Sequence, residues 1–230
     1  EIKWYSLAYI FGILVGWILS KKIFITDQKI REKFDDYISY LIIGIIIGGR
    51  LGYVLFYKPE YYFLNPLEIF AVWQGGMSFH GGLIGVIISL LLLTHHRPNL
   101  GKRKIIRDYK LTFFSRFFLI TDFVAPLVPL GLMFGRVGNF INGELYGRVA
   151  DIETITWAII FPQSGTLDPR HPSQIYQAFG EGLILFIILY NLQKLKLPIG
   201  TLSASFLIGY GFFRFVIEFF REPDSYLGFV

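Results

Sequence analysis

The chain has 230 residues, 53% of them hydrophobic, a mean hydropathy of +0.52 and a net charge of +5. So apolar a composition excludes a soluble domain of this size and points to an integral membrane protein. The basic residues lie in short loops between apolar runs, so topology accounts for them and nucleic acid is excluded as a partner. The absence of cysteine excludes a disulfide framework, a thiol nucleophile and a Cys-based metal site.

The first apolar run is 4–19, followed by Lys21 and Lys22. It lacks a cleavage-site pattern and reads as a spanning helix, not a signal peptide. The chain opens at Glu1 without a methionine, which reads as a trimmed start. A basic segment (Lys29, Arg31, Lys33) leads into the second run, 37–57, which Gly48-Gly49-Arg50 interrupts. Residues 58–76 form an aromatic, proline-bearing connector suited to the membrane interface. Ser78-Phe79-His80-Gly81-Gly82 precedes the third run, 83–94. The most basic loop follows, with Arg97, Lys102, Arg103, Lys104, Arg107 and Lys110. The fourth run, 113–134, carries Asp122 four residues before Pro126, and that aspartate is expected to tether a kinked helix. Residues 149–172 are polar, with Pro and Gly, and too long for a turn, so they read as part of a small extramembrane cap. The fifth run is 173–192, and after Pro198 and Gly200 the sixth is 201–220.

The fold expected is all-α and polytopic, with about six transmembrane helices in one domain over 1–230. The cap, 136–172, is inserted between the fourth and fifth spans. Lysine and arginine number five in 21–36, seven in 95–116 and two in 190–199. By the positive-inside rule those loops are cytoplasmic, and both termini, the 58–76 connector and the cap lie outside.

With that orientation the unusual polar residues gather toward one leaflet. His80 opens the third run there, and Arg136, Asn139 and Glu144 close the fourth. Arg214 lies about 13 residues into the last span, or roughly 20 Å from its inner end at ~1.5 Å per residue. The densest stretch is 135–148, where fourteen residues include two arginines, two asparagines, one glutamate and four glycines. Arginine forks suit phosphate or carboxylate, and asparagine both donates and accepts. Tyr210, Arg214 and Glu218 are spaced i, i+4, i+8 and share one helix face. Glu218 can neutralise Arg214 alone, but Arg136 makes a second guanidinium, and an anionic phosphate between the arginines would balance the set. The chemistry points to a polar lipid headgroup site at the membrane surface.

Other polar residues carry two readings. A histidine at a helix start usually caps or packs, yet the glycines beside His80 leave room for a ligand. Arg50 either reaches a headgroup or pairs structurally. Glu181, between two glycines, should face another helix, chiefly as a structural partner. His171, before Pro172, reads as structural. His95 and His96 flank the basic loop. Four histidines so scattered argue for no metal.

These motifs resemble prolipoprotein diacylglyceryl transferase. The likeness rests on 135–148, together with Trp4-Tyr5, Gly49-Arg50-Leu51-Gly52-Tyr53, His80-Gly81-Gly82, Asp122 with Ala125-Pro126, His171-Pro172-Ser173-Gln174-Ile175-Tyr176, Phe213-Arg214-Phe215 and Glu218-Phe219-Phe220-Arg221. The glycine-arginine-asparagine motif is the specific part, and the likeness runs along nearly the whole chain. It implies a bacterial inner-membrane, multi-pass enzyme whose cap is periplasmic and whose site faces the outer leaflet. Such enzymes move a diacylglyceryl group from phosphatidylglycerol to the lipobox cysteine thiol in the signal peptide of a prolipoprotein, releasing glycerol phosphate. By resemblance His80, Arg136, Arg214, Glu144 and Glu218 are the catalytic candidates. Arg136, Asn139, Gly147, Tyr5 and Tyr210 bind substrate, with Arg50 beside them. No cofactor or metal is expected, because two guanidiniums can do the work of a cation; the partners are the two substrates and membrane lipids. The family has a further, seventh spanning helix after Arg221-Glu222-Pro223-Asp224, and this sequence ends at Val230. A non-catalytic lipid binder or translocator is the alternative. A transporter should show polar residues at both leaflets or repeated halves, and neither is seen. An intramembrane protease lacks a GxSxG serine or a facing aspartyl pair.

Overall fold

A computed structural model describes residues 4–24, 28–95, 112–195 and 197–223; the side chains of 4–6, 9, 23, 24 and 28–33 lie outside that description. Helix dominates. Three segments are long and apolar enough to cross a bilayer: Phe34–Phe56, Phe113–Asn142 and Ser173–Lys194. The helices α1 (Trp4–Leu19) and α4 (Phe79–His95) are shorter, at 16 and 17 residues, and α9 (Thr201–Glu218) carries Arg214 and Glu218 in its last turns. The chain divides into two compact units, 21–120 and 1–20 with 121–230.

The 21–120 unit is built on α2 (Gln28–Phe56) and α4. Gly48-Gly49 does not interrupt α2: Gly48 faces α4, where a methyl would strike the Gly81 carbonyl, as one on Gly85 would strike the Gly44 carbonyl, while Gly49 faces Met77. Lipid tails are as apolar as leucine, so helices in a bilayer gain by close backbone packing, and small residues permit it. Ser89 Oγ donates across the pair to the Tyr40 carbonyl at 3.1 Å. The outer face of α2 keeps Ile43, Ile46 and Ile47 exposed, as a lipid-facing surface requires. Between the two helices lies the connector, α3 (Pro59–Leu64) with short 3-10 turns at Pro66–Phe70 and Val72–Gln74.

In the other unit α1 packs on α6 (Val128–Asn142), with Phe11 edge-to-face on Phe134 at 5.0 Å. The Pro126 kink is a 3-10 turn, Ala125–Leu127, between α5 (Phe113–Val124) and α6. The fifth run becomes α7 (Ser173–Gln177), a π-helical stretch, Ala178–Ile184, and α8 (Leu185–Lys194). The two glycines beside Glu181 pack against other helices, since a Cβ on Gly182 would press on Met133 and one on Gly180 would meet Phe213. Asp122 ties the fourth run to the sixth. Its carboxylate accepts from Gly200 N (2.6 Å), Ser203 N (2.9 Å) and Ser203 Oγ (2.7 Å), capping α9 from outside that helix. Free N–H groups at a helix start need acceptors, most of all where water is scarce. Among the described residues the strands are β1 (Ile159–Ile160) and β2 (Pro169–Arg170), antiparallel, with Ile159 opposite Arg170.

Candidate functional site

The apolar run does not stop at the glycine-arginine motif. α6 continues through Arg136 and Asn139 to Asn142, and Gly143 ends it in the left-handed region at φ 68°. The chain then turns sharply. Leu145 holds φ 56°, unusual for a residue with a side chain, so the surroundings must impose it. Those surroundings are the start of α7: Gln174 Nε2 donates to the Glu144 carbonyl at 2.7 Å, and Ser173 Oγ to the Leu145 carbonyl at 3.0 Å. The Glu144 carboxylate in turn accepts from Asn139 Nδ2 (3.4 Å) and Asn142 Nδ2 (3.5 Å). Gly147 threads between two chains. Its N–H donates to the His171 carbonyl at 2.8 Å, and a Cβ there would stand 2.5 Å from the carbonyl oxygens of His171 and Phe220. Arg148 N–H donates to the Phe220 carbonyl at 3.0 Å, and its Nε to the Arg221 carbonyl at 2.9 Å.

The motif helix, the π-helical stretch and α9 bring charges together. Arg136 Nη2 lies 3.8 Å from Glu181 Oε2, and Glu181 is fully buried. Glu181 also feels the charges of Arg214, Arg221 and Glu218, and Tyr210 feels those of Glu181, Arg136, Arg214 and Arg221. Arg214 Nη2 pairs with Glu218 Oε2 at 2.7 Å, though off the angle of a hydrogen bond, and Arg221 Nη1 approaches Glu218 Oε1 at 3.6 Å. Guanidiniums from two stretches far apart in sequence therefore act on one buried carboxylate, Arg136 at 3.8 Å and Arg214 through its charge. Taking such charges out of water costs several kcal/mol each, to order of magnitude, unless each is matched. Here the matching is incomplete. Arg214 Nη1 and both Glu181 oxygens are buried without a hydrogen-bond partner. Gln174 Oε1 and both amide atoms of Gln177 share that condition on the same face of the fifth run. Such a cluster can hold an anion, and it can stabilise negative charge that grows during a reaction.

Of the sequence candidates, Arg136, Asn139, Glu144, Gly147, Tyr210, Arg214 and Glu218 all lie in this unit. Gly147 is explained by the two carbonyls pressing on it, with no ligand required. Tyr5 lies on the first turn of α1, and its side chain is outside the described residues, as is His96. His80 belongs to the 21–120 unit, exposed on the first turn of α4 with its ring edge-on to Phe79 at 5.7 Å.

Arg50 is in that unit too, and the structural half of its two readings describes it. It is 3% exposed and donates to the carbonyls of Glu68 (2.6 Å), Ile69 (2.9 Å), Gly75 (2.6 Å) and Gly76 (3.3 Å), with the Tyr62 ring 5.1 Å away. It clamps the connector. Asp122 tethers the fourth helix as expected, and the partner it holds is the start of α9. Outside the membrane runs, burial pushes the His171 imidazole down from its ordinary value; its Nδ1 meets the Tyr176 hydroxyl at 3.2 Å.

Glu181, Gln177 and Arg221 are the residues the sequence reading undervalued. A signal was present, because Gln174, Gln177 and Glu181 are spaced i, i+3, i+7 in an otherwise apolar run, which places three polar groups on one face.

Comparison with known proteins bears on this arrangement. The family model described as prolipoprotein diacylglyceryl transferase matches residues 1–230. A protein of Bordetella parapertussis, named phosphatidylglycerol–prolipoprotein diacylglyceryl transferase, is 49% identical over 99% of this chain and 80% of its own length. Proteins of the same name from Dechloromonas aromatica and Nitratidesulfovibrio vulgaris are 50% and 45% identical over 97% and 100% of this chain, covering 80% and 81% of theirs.

Proposed function

The chain belongs to the prolipoprotein diacylglyceryl transferase family, and we propose how its residues carry out that transfer. It is a membrane transferase of lipoprotein maturation, moving the diacylglyceryl group from phosphatidylglycerol to a prolipoprotein. The acceptor is the lipobox cysteine of the signal peptide, and the thiol comes from that substrate, this sequence holding no cysteine. The enzyme sits in the bacterial inner membrane with about six spans in this sequence and the 136–172 cap in the periplasm. The basic loops support this orientation. The site then faces the outer leaflet, where both substrates and other membrane lipids are met.

The observation that carries the reading is the fully buried Glu181 carboxylate 3.8 Å from Arg136 Nη2, with the charge of Arg214 acting on the same carboxylate. The cysteine sulfur attacks the glyceryl carbon of the donor, a carbon–sulfur bond forms, and the carbon–oxygen bond to phosphate breaks. Its electron pair leaves with the phosphate oxygen, and glycerol phosphate departs. Negative charge grows on that phosphate, and fixed guanidiniums stabilise it more strongly than water can. Arg136 and Arg214 hold the phosphate. Asn139 orients the Glu144 carboxylate, to which it donates, and Tyr5 and Tyr210 serve substrate binding. Glu218, engaged by Arg214 and Arg221, suits orienting arginine more than accepting a proton. A thiol with a pKa near 8.5 needs a base, and imidazole is the side chain that most often takes that task, which makes His80 the candidate. No cofactor enters the scheme.

The test is thioether formation between phosphatidylglycerol and a lipobox peptide with the purified full-length enzyme. Arg136→Lys and Arg214→Lys should each lose about 100- to 1,000-fold in turnover. Wild-type turnover in both removes the arginine assignment. His80→Asn should abolish the pH dependence assigned to the base, and an unchanged pH–rate profile with full activity removes His80.

A further inference from the structure

Gln177 has no role in the transfer as drawn above, yet it is the polar side chain least accounted for in its surroundings. It is 1% exposed, and neither its Oε1 nor its Nε2 has a hydrogen-bond partner. A buried primary amide with both ends unmatched is strongly penalised. Such a residue persists where something absent from the folded chain completes it.

Its neighbours on the helix show where it faces. Gln174, three residues earlier, donates to the Glu144 carbonyl of the motif turn. Glu181, four residues later, lies 3.8 Å from Arg136. Residues at these spacings share a helix face, so Gln177 stands on the face turned to α6, between the motif turn and the arginine cluster. Gln177 ends α7 and Glu181 follows four residues on in the π-helical stretch, so the two stand about one helical turn apart. That is the reach of a glycerol headgroup from its phosphate.

The amide's chemistry narrows the ligand. It offers one acceptor and two donors and no charge. A phosphate would be served by the arginines and would leave the amide oxygen unmatched; an ammonium headgroup would leave its N–H groups unmatched. Hydroxyl groups both donate and accept, and satisfy both ends. We propose that the Gln177 side-chain amide reads the glycerol hydroxyls of the phosphatidylglycerol headgroup, its oxygen accepting from one hydroxyl and its N–H donating to another, and so sets headgroup specificity. This rests on the reading of Arg136 and Arg214 as the phosphate holders.

The experiment measures binding of two short-chain lipids to the purified full-length enzyme, dioctanoyl phosphatidylglycerol and dioctanoyl phosphatidylmethanol. Both are phosphodiesters of single charge, and only the first has headgroup hydroxyls. The wild type should bind phosphatidylglycerol about tenfold more tightly, the worth of one or two neutral hydrogen bonds. Gln177→Met, close in shape and without the amide, should erase that preference by weakening phosphatidylglycerol alone. Equal affinities in the wild type overturn the proposal without any variant, which covers the case of a Gln177→Met protein that does not fold. A variant that weakens both lipids alike, or neither, overturns it as well. The phosphate reading fails separately: phosphatidylmethanol affinity would then be unchanged in Arg136→Gln and Arg214→Gln, whatever the preference ratio.

Discussion

Arg136 Nη2 lies 3.8 Å from Oε2 of the fully buried Glu181, closer than two isolated charges and farther than a hydrogen bond. In a free enzyme the carboxylate does for the arginine what a bound phosphate would do: it orients the guanidinium and partly compensates its charge. Removing it leaves a half-matched cation. We expect Glu181→Gln and Arg136→Gln each to lower kcat/KM, and the double variant to lose less than the two losses combined. The coupling should be of order 0.5–3 kcal/mol, as for residues in one network. Strictly additive losses in that cycle would show that the two act apart.

Arg50 should matter for stability and not for substrate. It donates to four connector carbonyls from beneath. Lysine has one nitrogen and cannot reproduce a planar fork. Arg50→Lys should leave carbonyls unmatched at about 1–3 kcal/mol each, seen as a lower thermal midpoint. The KM for phosphatidylglycerol in the folded fraction should stay within about twofold of wild type, the pattern of a lost structural contact. A raised KM with an unchanged midpoint would return Arg50 to the headgroup.

Asp122 positions the helix that carries Tyr210, Arg214 and Glu218. Losing an N-cap costs about 0.5–2 kcal/mol, and Asp122 serves two backbone N–H groups and a hydroxyl. Asp122→Ala should therefore lower stability within or above that range, and Asp122→Asn should recover part of it. If alanine is as stable as wild type, the tether is not holding α9.

How much of this was legible in the sequence follows from what each residue answers to. Apolar runs mark helices well because hydrocarbon demands them, and α1 spans the 4–19 that the run predicts. Helix ends were harder. Gly48-Gly49 looks like a break in isolation, yet Gly48 is a packing surface once α4 lies against it and Gly49 receives Met77. Gly135 and Gly138 look like the end of a helix, yet α6 ends only at Gly143. The motif arginine was legible because guanidinium in such company has few other uses. Its buried partner was not, since nothing local to Glu181 says which of several helices its carboxylate will meet. The same holds for Arg50, whose four acceptors are carbonyls and leave no trace in side-chain identity.

Acid should weaken the packing around His171. Trp157 Nε1 donates to the Tyr176 hydroxyl at 2.7 Å, and that hydroxyl lies 3.2 Å from His171 Nδ1. The hydroxyl proton can pass the chain on only if Nδ1 is a bare acceptor, so the neutral ring completes it and the protonated ring breaks it. Burial acts in the same direction, holding the folded pKa below the ordinary 6.5. Between the folded value and 6.5 the unfolded chain binds a proton that the folded one refuses, so stability rises with pH across that window. The contribution is complete above 6.5 and is lost as pH falls through the folded value. Thermal midpoints of the wild type should therefore drop on acidification from about pH 7 to about pH 5, and those of His171→Gln should drop less. The consequence reaches the site, because the His171 carbonyl holds the N–H of Gly147 at 2.8 Å. Equal acid sensitivity in the two proteins would assign the effect to other groups.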